Sequence, residues 1–484
     1  MPVLPWWFLA VFVLGVNFVI WGSVGAIRLT ESRAGRLSRH RKQAAPARND
    51  ATGASKGSLT VSQVAVLMPA HNESAVLAAS LDAIMKLVPA SNIHVVSDGS
   101  TDDTPDIARR AGVQVYETRS NVGKAGALQE AIGHFQLIRR YPVVLLLDAD
   151  TRVDPDYFAE ALPLFNEPEV VAVAGCVRTA RDRRLSLAGN VLVGHRERIY
   201  AIGQRALKFG QTYLRANATH IVPGFASMYR TSVLPNMEMN PPGLVIEDFN
   251  MTFEVYQKRL GKVAFTLKAV AETQDPDTLP DYIRQTRRWA IGLWQTVRRH
   301  PPRANLFTAM LAVLLLELIT SSAIFLMLPM LMLVLVLPDL AHSTLHWLPF
   351  ADVHAVVAAH MKLSAVLFGV ALPDYALTCL VAVLERRPRL LLVGFFFPFL
   401  RIIDAAIGLC AIPAGWLVRS NGTWKSPARR AIDGAPEPVA IPAGQAEPVV
   451  PDAERTRVGA ESAESPSASP VFANFVPEKT HAHG

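Results

Sequence analysis

The 484-residue sequence has few cysteines, few charged residues and no phosphate-binding loop of the P-loop type. Its three cysteines, Cys176, Cys379 and Cys410, form no CxxC pair, so we expect neither a disulfide framework nor a zinc site. The string GxxxxGK(S/T) is absent, which excludes an enzyme built on that loop. No nucleic-acid-binding motif and no interleaving of basic and aromatic residues occurs either, so we expect no nucleic-acid partner.

Apolar residues, in contrast, are abundant. They make up 50% of the chain, and this share is too high for an ordinary soluble enzyme. They cluster in blocks at 5–27, 306–337, 355–384 and 390–418. The first block would rise about 35 Å as a helix, which is enough to cross a bilayer core of about 30 Å. A cleaved signal peptide is the alternative, but no basic region precedes the block. We therefore expect an N-terminal transmembrane helix over residues 1–27 and a C-terminal transmembrane region over 305–420.

The basic residues after the first block predict the orientation of the chain. Seven arginines and lysines lie between positions 28 and 48, against one acidic residue, Glu31. Because positive flanks stay on the cytoplasmic side, residues 28–59 are predicted to be a basic cytoplasmic linker. Residues 60–304 would then be a cytoplasmic domain of a multi-pass plasma-membrane protein. Residues 421–484 are rich in Pro, Ala, Glu and Ser, and predict a mostly disordered tail.

Between residues 64 and 147, apolar runs of strand length alternate with helical patterns, which is typical of a parallel α/β sheet. Strands are predicted at 64–68, 92–97, 113–117 and 142–147. In such sheets, ligands bind beyond the carboxyl ends of the strands. The polar motifs PAHNE, SDG and DAD each follow a predicted strand directly. We therefore expect a binding site at this edge of the sheet.

The side chains of these motifs suggest their ligands. Asp148 and Asp150 are one residue apart, so both carboxylates can reach one hard cation such as Mg²⁺ or Mn²⁺. Asn72, Glu73 and Asp98 are placed to hydrogen-bond a base and a ribose. Lys124, in the motif NVGKAGAL, can contact a phosphate, although many helix N-termini resemble that motif.

Two further motifs complete the series. Glu247 and Asp248 precede a helical pattern, where an acidic pair is also common for electrostatic reasons alone. Because the pair follows the metal motif in the chain, we expect Asp248 to act as general base toward an acceptor hydroxyl. In QTRRW, Arg288 can bind diphosphate oxygens and Trp289 can stack on a sugar ring. An interfacial amphipathic helix is the other interpretation of that segment, and both can hold.

The series PAHNE, SDGSTDDT, NVGKAGAL, DAD, IED and QTRRW resembles the processive membrane glycosyltransferases of family 2. This family includes bacterial cellulose, hyaluronan, chitin-oligosaccharide and poly-N-acetylglucosamine synthases. The resemblance covers about residues 60–300, and the segment DPDTLPDYIRQTRRW is most like the poly-N-acetylglucosamine synthases. One departure is Ile246, which stands where the family usually has Thr.

The resemblance implies a GT-A type nucleotide-sugar-binding domain, Rossmann-like and α/β, inserted between transmembrane helices. It also implies an inverting transfer. The implied roles are UDP binding by Glu73, Asp98 and Lys124, contact with metal and diphosphate by Asp148 and Asp150, substrate contact by Glu247 and the base role of Asp248. The segment VPGFASMYR would line the acceptor site, and Gln285, Arg288 and Trp289 would carry the roles of the QxxRW motif.

The function expected from this resemblance is transfer of N-acetylglucosamine from a UDP-sugar donor to a polysaccharide acceptor at the lipid bilayer. A small membrane accessory subunit is a further expected partner. Three alternatives stay open: a synthase that uses another UDP-sugar, as cellulose or hyaluronan synthases do; a nonprocessive transferase to a polyprenyl phosphate; and an inactive membrane scaffold. The presence of DAD and Asp248 argues against the scaffold.

Overall fold

The computed structural model describes residues 5–43, 58–180, 185–340, 350–418 and 420. Within them, eight strands form one sheet. They are β1 (Val64–Ala70), β2 (Ile93–Ser97), β3 (Gln114–Glu117), β4 (Val143–Leu147), β5 (Arg152–Val153), β6 (Val170–Thr179), β7 (Ala226–Arg230) and β8 (Lys262–Thr273). Their order across the sheet is β3-β2-β1-β4-β7-β6-β8-β5.

The predicted α/β architecture is confirmed. Strands β1 to β4 are parallel to one another, and β1, β2 and β4 are fully buried because helices cover both faces of the sheet. The order of the sheet places the carboxyl ends of these strands at one edge. Strand β7 then runs antiparallel between β4 and β6, which the local sequence pattern does not reveal.

The helices of the described residues, in chain order, are α1 (Trp6–Leu14), α2 (Val16–Gln43), α3 (Ser74–Met85), α4 (Thr104–Arg110), α5 (Lys124–His134), α6 (Leu137–Arg140), α7 (Tyr157–Ala161), α8 (Leu187–Ile202), α9 (Phe209–Gln211), α10 (Glu247–Gln257), α11 (Leu279–Arg299), α12 (Leu306–Leu340), α13 (Phe350–His360), α14 (Leu363–Val366), α15 (Leu372–Leu384), α16 (Arg389–Val393) and α17 (Phe397–Leu417). Short 3₁₀ segments occur at Val61–Gln63, Ala90–Asn92, Leu162–Asn166, Thr231–Asn236 and Gly394–Phe396. π-Helical turns occur at Gly203–Lys208, which follows α8, and at Leu367–Ala371.

The N-terminal apolar block is broken at Gly15, whereas the sequence predicts one continuous helix. Gly15 has φ +88°, a conformation that residues other than glycine rarely adopt, and a Cβ there would overlap the Glu317 carboxylate of α12. The Asn17 side-chain amide donates to the same carboxylate at 2.5 Å. Helix α2 then continues to Gln43, into the predicted linker. That residues 1–27 cross a membrane remains a prediction.

Three other helical segments of the described chain are long and apolar enough to cross a bilayer: Leu306–Val336, Leu363–Leu384 and Arg389–Leu417. The predicted block at 355–384 is interrupted after His360, where α13 ends. The three segments all lie within the predicted C-terminal region. They follow α11, which carries the QTRRW motif.

Candidate active site

Asp98, at the end of β2, holds the loop that leads into α5. Its carboxylate accepts hydrogen bonds from the Val122 N–H (2.8 Å), the Gly123 N–H (2.9 Å) and the Thr118 hydroxyl (3.0 Å). The residue is fully buried. These contacts fix the position of Lys124, which follows Gly123 directly. Contact of Asp98 with a ribose or base remains a prediction.

Asn72 and Glu73 lie after β1, beside this loop. The Asn72 side-chain oxygen accepts from the Thr101 N–H at 2.8 Å, and Asn72 itself has φ +55°. Glu73 is buried, and its N–H donates to the Thr104 hydroxyl at 2.9 Å. These bonds tie the ends of β1 and β2 together. Both residues therefore lie at the edge of the sheet where the sequence places the donor site.

Lys124 joins two of the predicted motifs. Its ammonium lies 2.7 Å from an Asp148 carboxylate oxygen and 3.2 Å from a Glu247 carboxylate oxygen. Lys124 begins α5, Asp148 follows β4, and Glu247 begins α10. The fold thus brings together three charged groups, of which the first and the last, Lys124 and Glu247, are 123 positions apart in the sequence.

Burial and mutual charge shift the pKa values in this cluster. Burial favours the neutral form of every member, and it raises the pKa of the Asp148 carboxyl against the opposing effect of Lys124. For Glu247, burial is the largest single effect and raises the pKa, but the Lys124 ammonium, a backbone hydrogen bond and the Arg288 charge together outweigh it. The pKa of this carboxyl therefore lies below its usual range. For Lys124, the carboxylates of Asp148, Glu247 and Asp248 outweigh burial and raise its pKa. Lys124 therefore remains protonated, and Glu247 remains ionised.

Asp248 differs from its neighbour Glu247. Burial, followed by the charge of Glu247, raises the pKa of Asp248 to about 7. Its carboxylate accepts a hydrogen bond from the Gly224 N–H. Gly224 lies in VPGFASMYR, and a Cβ at this position would overlap an Asp248 carboxylate oxygen. A pKa near neutrality suits a general base.

The residues after β4 fit a divalent cation. Asp148 and Asp150 supply oxygen ligands only, which is the preference of Mg²⁺ and Mn²⁺. In the described part of the chain, no group of three or more His, Cys, Asp or Glu side chains is poised around a common point for a metal ion. Two carboxylates are nevertheless enough where substrate phosphates and water complete the coordination shell. That Asp148 and Asp150 bind a metal remains a prediction.

Helix α11 carries Gln285, Arg288 and Trp289, and it places Arg288 near Glu247. The Arg288 charge helps lower the pKa of Glu247, and Arg288 forms no ion pair with any described residue. The Gln285 side-chain oxygen is buried and accepts no hydrogen bond from the described chain. Both groups are therefore available to a ligand. Trp289, in contrast, already packs against a guanidinium, that of Arg196, at 4.5 Å from the ring centre.

The segment before Asp248 packs directly on α11. Ile246 is buried against Gly292, where an added Cβ would lie 3.0 Å from the Ile246 Cβ. The Gln295 side-chain oxygen accepts from the Val245 N–H at 2.9 Å, and its amide donates to the Val418 carbonyl at 3.0 Å. The apolar residue at position 246 therefore has a packing role in this chain.

Three residues at the site were not singled out by sequence. The His71 Nδ1 donates to the Asp98 carbonyl (2.6 Å), and its Nε2 lies 3.2 Å from the Asn121 amide. His71 lies inside PAHNE, which is the signal that could have identified it. Gly224 likewise lies inside VPGFASMYR, whereas Arg196 gave no such signal, because its contacts are with residues far away in the sequence.

Comparison with known proteins agrees with this geometry. Residues 62–292 match the family model described as "Glycosyltransferase like family 2". The matched region begins just before β1 and ends within α11, so it contains all the residues of the candidate site. The predicted GT-A type α/β fold is confirmed.

Curated relatives are similar over the same region. The chain is 28% identical over 240 residues to the uncharacterized glycosyltransferase YaiP of Escherichia coli (strain K12), covering 48% of this chain and 57% of that protein. It is 24% identical over 252 residues to poly-beta-1,6-N-acetyl-D-glucosamine synthase of Staphylococcus epidermidis, covering 49% and 58%. It is 26% identical over 249 residues to hyaluronan synthase of Streptococcus pyogenes, covering 47% and 56%. The similarity thus spans less than two thirds of each relative.

Among solved structures, the mannosyltransferase PcManGT from Pyrobaculum calidifontis, in complex with GDP-Man and Mn²⁺, aligns with 81% of this chain and 99% of that chain. Its TM-score is 0.42 and its sequence identity 17%.

Proposed function

We propose, from the premise that residues 62–292 are a glycosyltransferase family 2 domain, that the chain is a processive inverting β-glycosyltransferase. It transfers N-acetylglucosamine from UDP-N-acetylglucosamine to a growing polysaccharide at the cytoplasmic face of the membrane. One observation carries the proposal: Lys124, Asp148, Glu247 and Asp248 form a single, largely buried cluster at the carboxyl edge of the sheet.

The donor lies across the ends of β1, β2 and β4. In this arrangement the loops at Asn72, Glu73 and Asp98 face the nucleoside, and Lys124 and Arg288 face the diphosphate. Asp148 and Asp150 would hold a divalent cation, which supplies neutralisation of the diphosphate charge when it is bound. Glu247 keeps Lys124 in place through its ion pair of 3.2 Å.

Asp248 removes the proton from the acceptor hydroxyl as that oxygen bonds to the anomeric carbon of the donor sugar. The bond from this carbon to the UDP oxygen breaks on the opposite side, so UDP leaves and the configuration inverts. The Gly224 N–H orients the Asp248 carboxylate. Trp289 supports the acceptor sugar from α11, through stacking that contributes on the order of 1 kcal/mol.

A largely apolar cavity with a few buried polar atoms supports passage of the product through the helices that follow the domain. The cavity has a volume of about 390 Å³ and lies between the α1–α2 junction, α8, α12, α15 and α17. Three of its buried atoms accept no hydrogen bond from the described chain: Asn17 Oδ1, Glu317 Oε1 and His195 Nδ1. All three are acceptors, since His195 Nε2 donates to Asp404 at 3.0 Å. Sugar hydroxyl groups are donors that would satisfy them.

The test is to purify the protein in detergent and measure UDP release across a panel of UDP-sugars, together with the size of the product. We expect UDP-N-acetylglucosamine to give the fastest release and a long polymer. Faster release with UDP-glucose or with UDP-glucuronic acid would instead favour a cellulose-like or hyaluronan-like synthase, the first alternative.

One variant and two further outcomes test the mechanism and the remaining alternatives. Trp289→Ala should keep donor hydrolysis but lose long product, because the acceptor end is no longer aligned and misplacement by about 1 Å can reduce a rate about a hundredfold. Normal polymer from this variant would refute the role of Trp289 in aligning the acceptor and remove the main support for the processive mechanism. Single-sugar transfer to an added polyprenyl phosphate would favour the nonprocessive transferase. No UDP release with any donor would favour the inactive scaffold.

A further inference from the structure

The Arg196 side chain of α8 contacts three residues on one side of α11. Its guanidinium lies 4.4 Å from the ring centre of Tyr282 and 4.5 Å from that of Trp289. Its Nη2 donates to the Thr286 hydroxyl at 2.5 Å. Tyr282, Thr286 and Trp289 are spaced by four and three residues, so they lie on the same side of the helix. The Arg196 guanidinium therefore lies between the two rings and is held there by its hydrogen bond to the Thr286 hydroxyl.

Within the described residues, this arginine has no carboxylate partner. Its side chain is buried, with 3% exposed, and its Nε has no acceptor in the described chain. Arg198, two residues further along α8, is equally buried but pairs with Asp374 at 2.8 Å. A buried charge without a counter-ion is unfavourable, and the aromatic faces offset only part of that energy. Packing alone would be achieved more favourably by an apolar residue, so the arrangement indicates a functional role.

The contact also connects Trp289 to the helices beyond the domain. The Tyr282 hydroxyl donates to the Asp404 carboxylate of α17, with distances of 2.8 and 2.9 Å to its two oxygens. His195, the residue before Arg196, donates to the same carboxylate. Two neighbouring residues of α8 thus bind α17 and α11, and Asp404 lines the cavity of about 390 Å³.

We propose that Arg196 is a positioning residue for the acceptor. It packs on one face of the Trp289 indole and fixes its orientation, so the acceptor sugar stacks on the opposite face, in line with Asp248. This proposal rests on the proposed function, in which an acceptor sugar uses Trp289. A planar guanidinium is needed for this role, because a lysine ammonium cannot lie flat between two rings.

The experiment compares Arg196→Lys and Thr286→Ala with the wild type. Arg196→Lys keeps the charge but removes the flat contact, and Thr286→Ala removes only the hydroxyl that anchors the guanidinium. We expect transfer into polymer to fall about tenfold or more in Arg196→Lys and less in Thr286→Ala, since rates depend steeply on alignment. The donor KM and the rate of donor hydrolysis should stay near the wild-type values, because the loss lies in the acceptor step.

Arg140→Lys is the matched control. Arg140 also packs on an aromatic ring, that of Tyr141, at 5.3 Å, and donates to the Phe135 carbonyl at 3.3 Å. It ends α6, just before the start of β4, at the opposite edge of the sheet from the site. We expect this variant to keep the wild-type ratio of transfer to hydrolysis. Normal polymer from Arg196→Lys, or an equal loss of transfer and hydrolysis, would overturn the proposal.

A second readout does not depend on activity. The chain has eight tryptophans, and the contribution of Trp289 to fluorescence is obtained by subtracting the signal of Trp289→Phe in each background. We expect acrylamide to quench Trp289 more strongly in Arg196→Lys than in the wild type, because the guanidinium no longer covers the indole. Unchanged quenching would refute the role of Arg196. Increased quenching in Arg196→Lys, where the wild type itself makes no polymer, would instead refute the proposed function alone.

Discussion

The Lys124 ammonium lies 2.7 Å from the Asp148 carboxylate, at the position where a divalent cation is expected. A metal ion bound by Asp148 and Asp150 must therefore share Asp148 with a lysine or displace it. Lys124 also forms an ion pair with Glu247, so its ammonium can turn toward that carboxylate and still have a negative charge beside it. The cluster is thus suited to accept a cation together with the donor.

We expect removal of metal to abolish turnover. EDTA should stop UDP release, and Mg²⁺ or Mn²⁺ should restore it. Without the divalent cation, the negative diphosphate would face the carboxylates of Asp148 and Asp150 with no positive charge between them. Asp150→Asn should not recover at ordinary metal concentration. Asp154→Asn, a carboxylate four positions further on, is the control and should respond to metal as the wild type does. An enzyme that works unchanged in EDTA would contradict the metal assignment.

Replacing the base should separate catalysis from binding. Asp248→Asn preserves the size of the side chain, but an asparagine cannot take the proton from the hydroxyl of the acceptor sugar. Transfer should therefore fall by roughly a hundredfold to ten-thousandfold. Binding of UDP, measured by calorimetry, should be nearly normal. If UDP affinity falls as far as the rate, Asp248 belongs to the donor site instead.

The rate should depend on pH through Asp248. Burial and Glu247 raise the pKa of this carboxyl to about 7, so in the free enzyme it is protonated below that pH and ionised above it. Only the ionised form is a base. We therefore expect kcat/KM for the donor to fall about tenfold per unit as the pH drops below the pKa, and to level off above it. A flat profile through this range would argue against Asp248 as the base.

Adding one methyl group at Gly224 should disrupt the same carboxylate. The new Cβ of Gly224→Ala would overlap an Asp248 oxygen and lie 3.1 Å from the Lys124 ammonium. We expect a loss of transfer similar to that of Asp248→Asn. The control is Gly133→Ala in α5, where a Cβ meets nothing within 4 Å and alanine should stabilise the helix by up to about 1 kcal/mol. Normal transfer by Gly224→Ala would show that this contact is dispensable.

Reporter fusions test the orientation of the chain. A reporter after residue 50 should give a cytoplasmic signal, because seven basic residues lie between positions 28 and 48. A reporter after residue 345, beyond the first of the three long apolar segments, should give the opposite signal. An external signal after residue 50 would place the domain away from its nucleotide donor and refute the proposed topology.

The sequence predicts the site better than it predicts the path of the chain around it. Motifs that follow a strand directly, such as those at Asp98 and Asp148, are at the predicted edge because a parallel sheet leaves few other positions. The break at Gly15 was missed because it depends on Glu317, about three hundred positions away, and a hydropathy pattern contains no such information. The contact of Arg196 with α11 was missed for the same reason. Local periodicity likewise could not reveal that β7 enters the sheet between β4 and β6.

Gln295 is fully buried, with its oxygen bonded to the segment that carries Asp248 and its amide bonded to the end of α17. A carboxamide has an accepting oxygen and a donating nitrogen, so neither a glutamate nor a lysine at position 295 could form both of these hydrogen bonds. Sliding of α17 along its own axis would pull on the same side chain that holds the peptide at Val245. The peptide three residues before Asp248 and the end of α17 are therefore joined through one amide group.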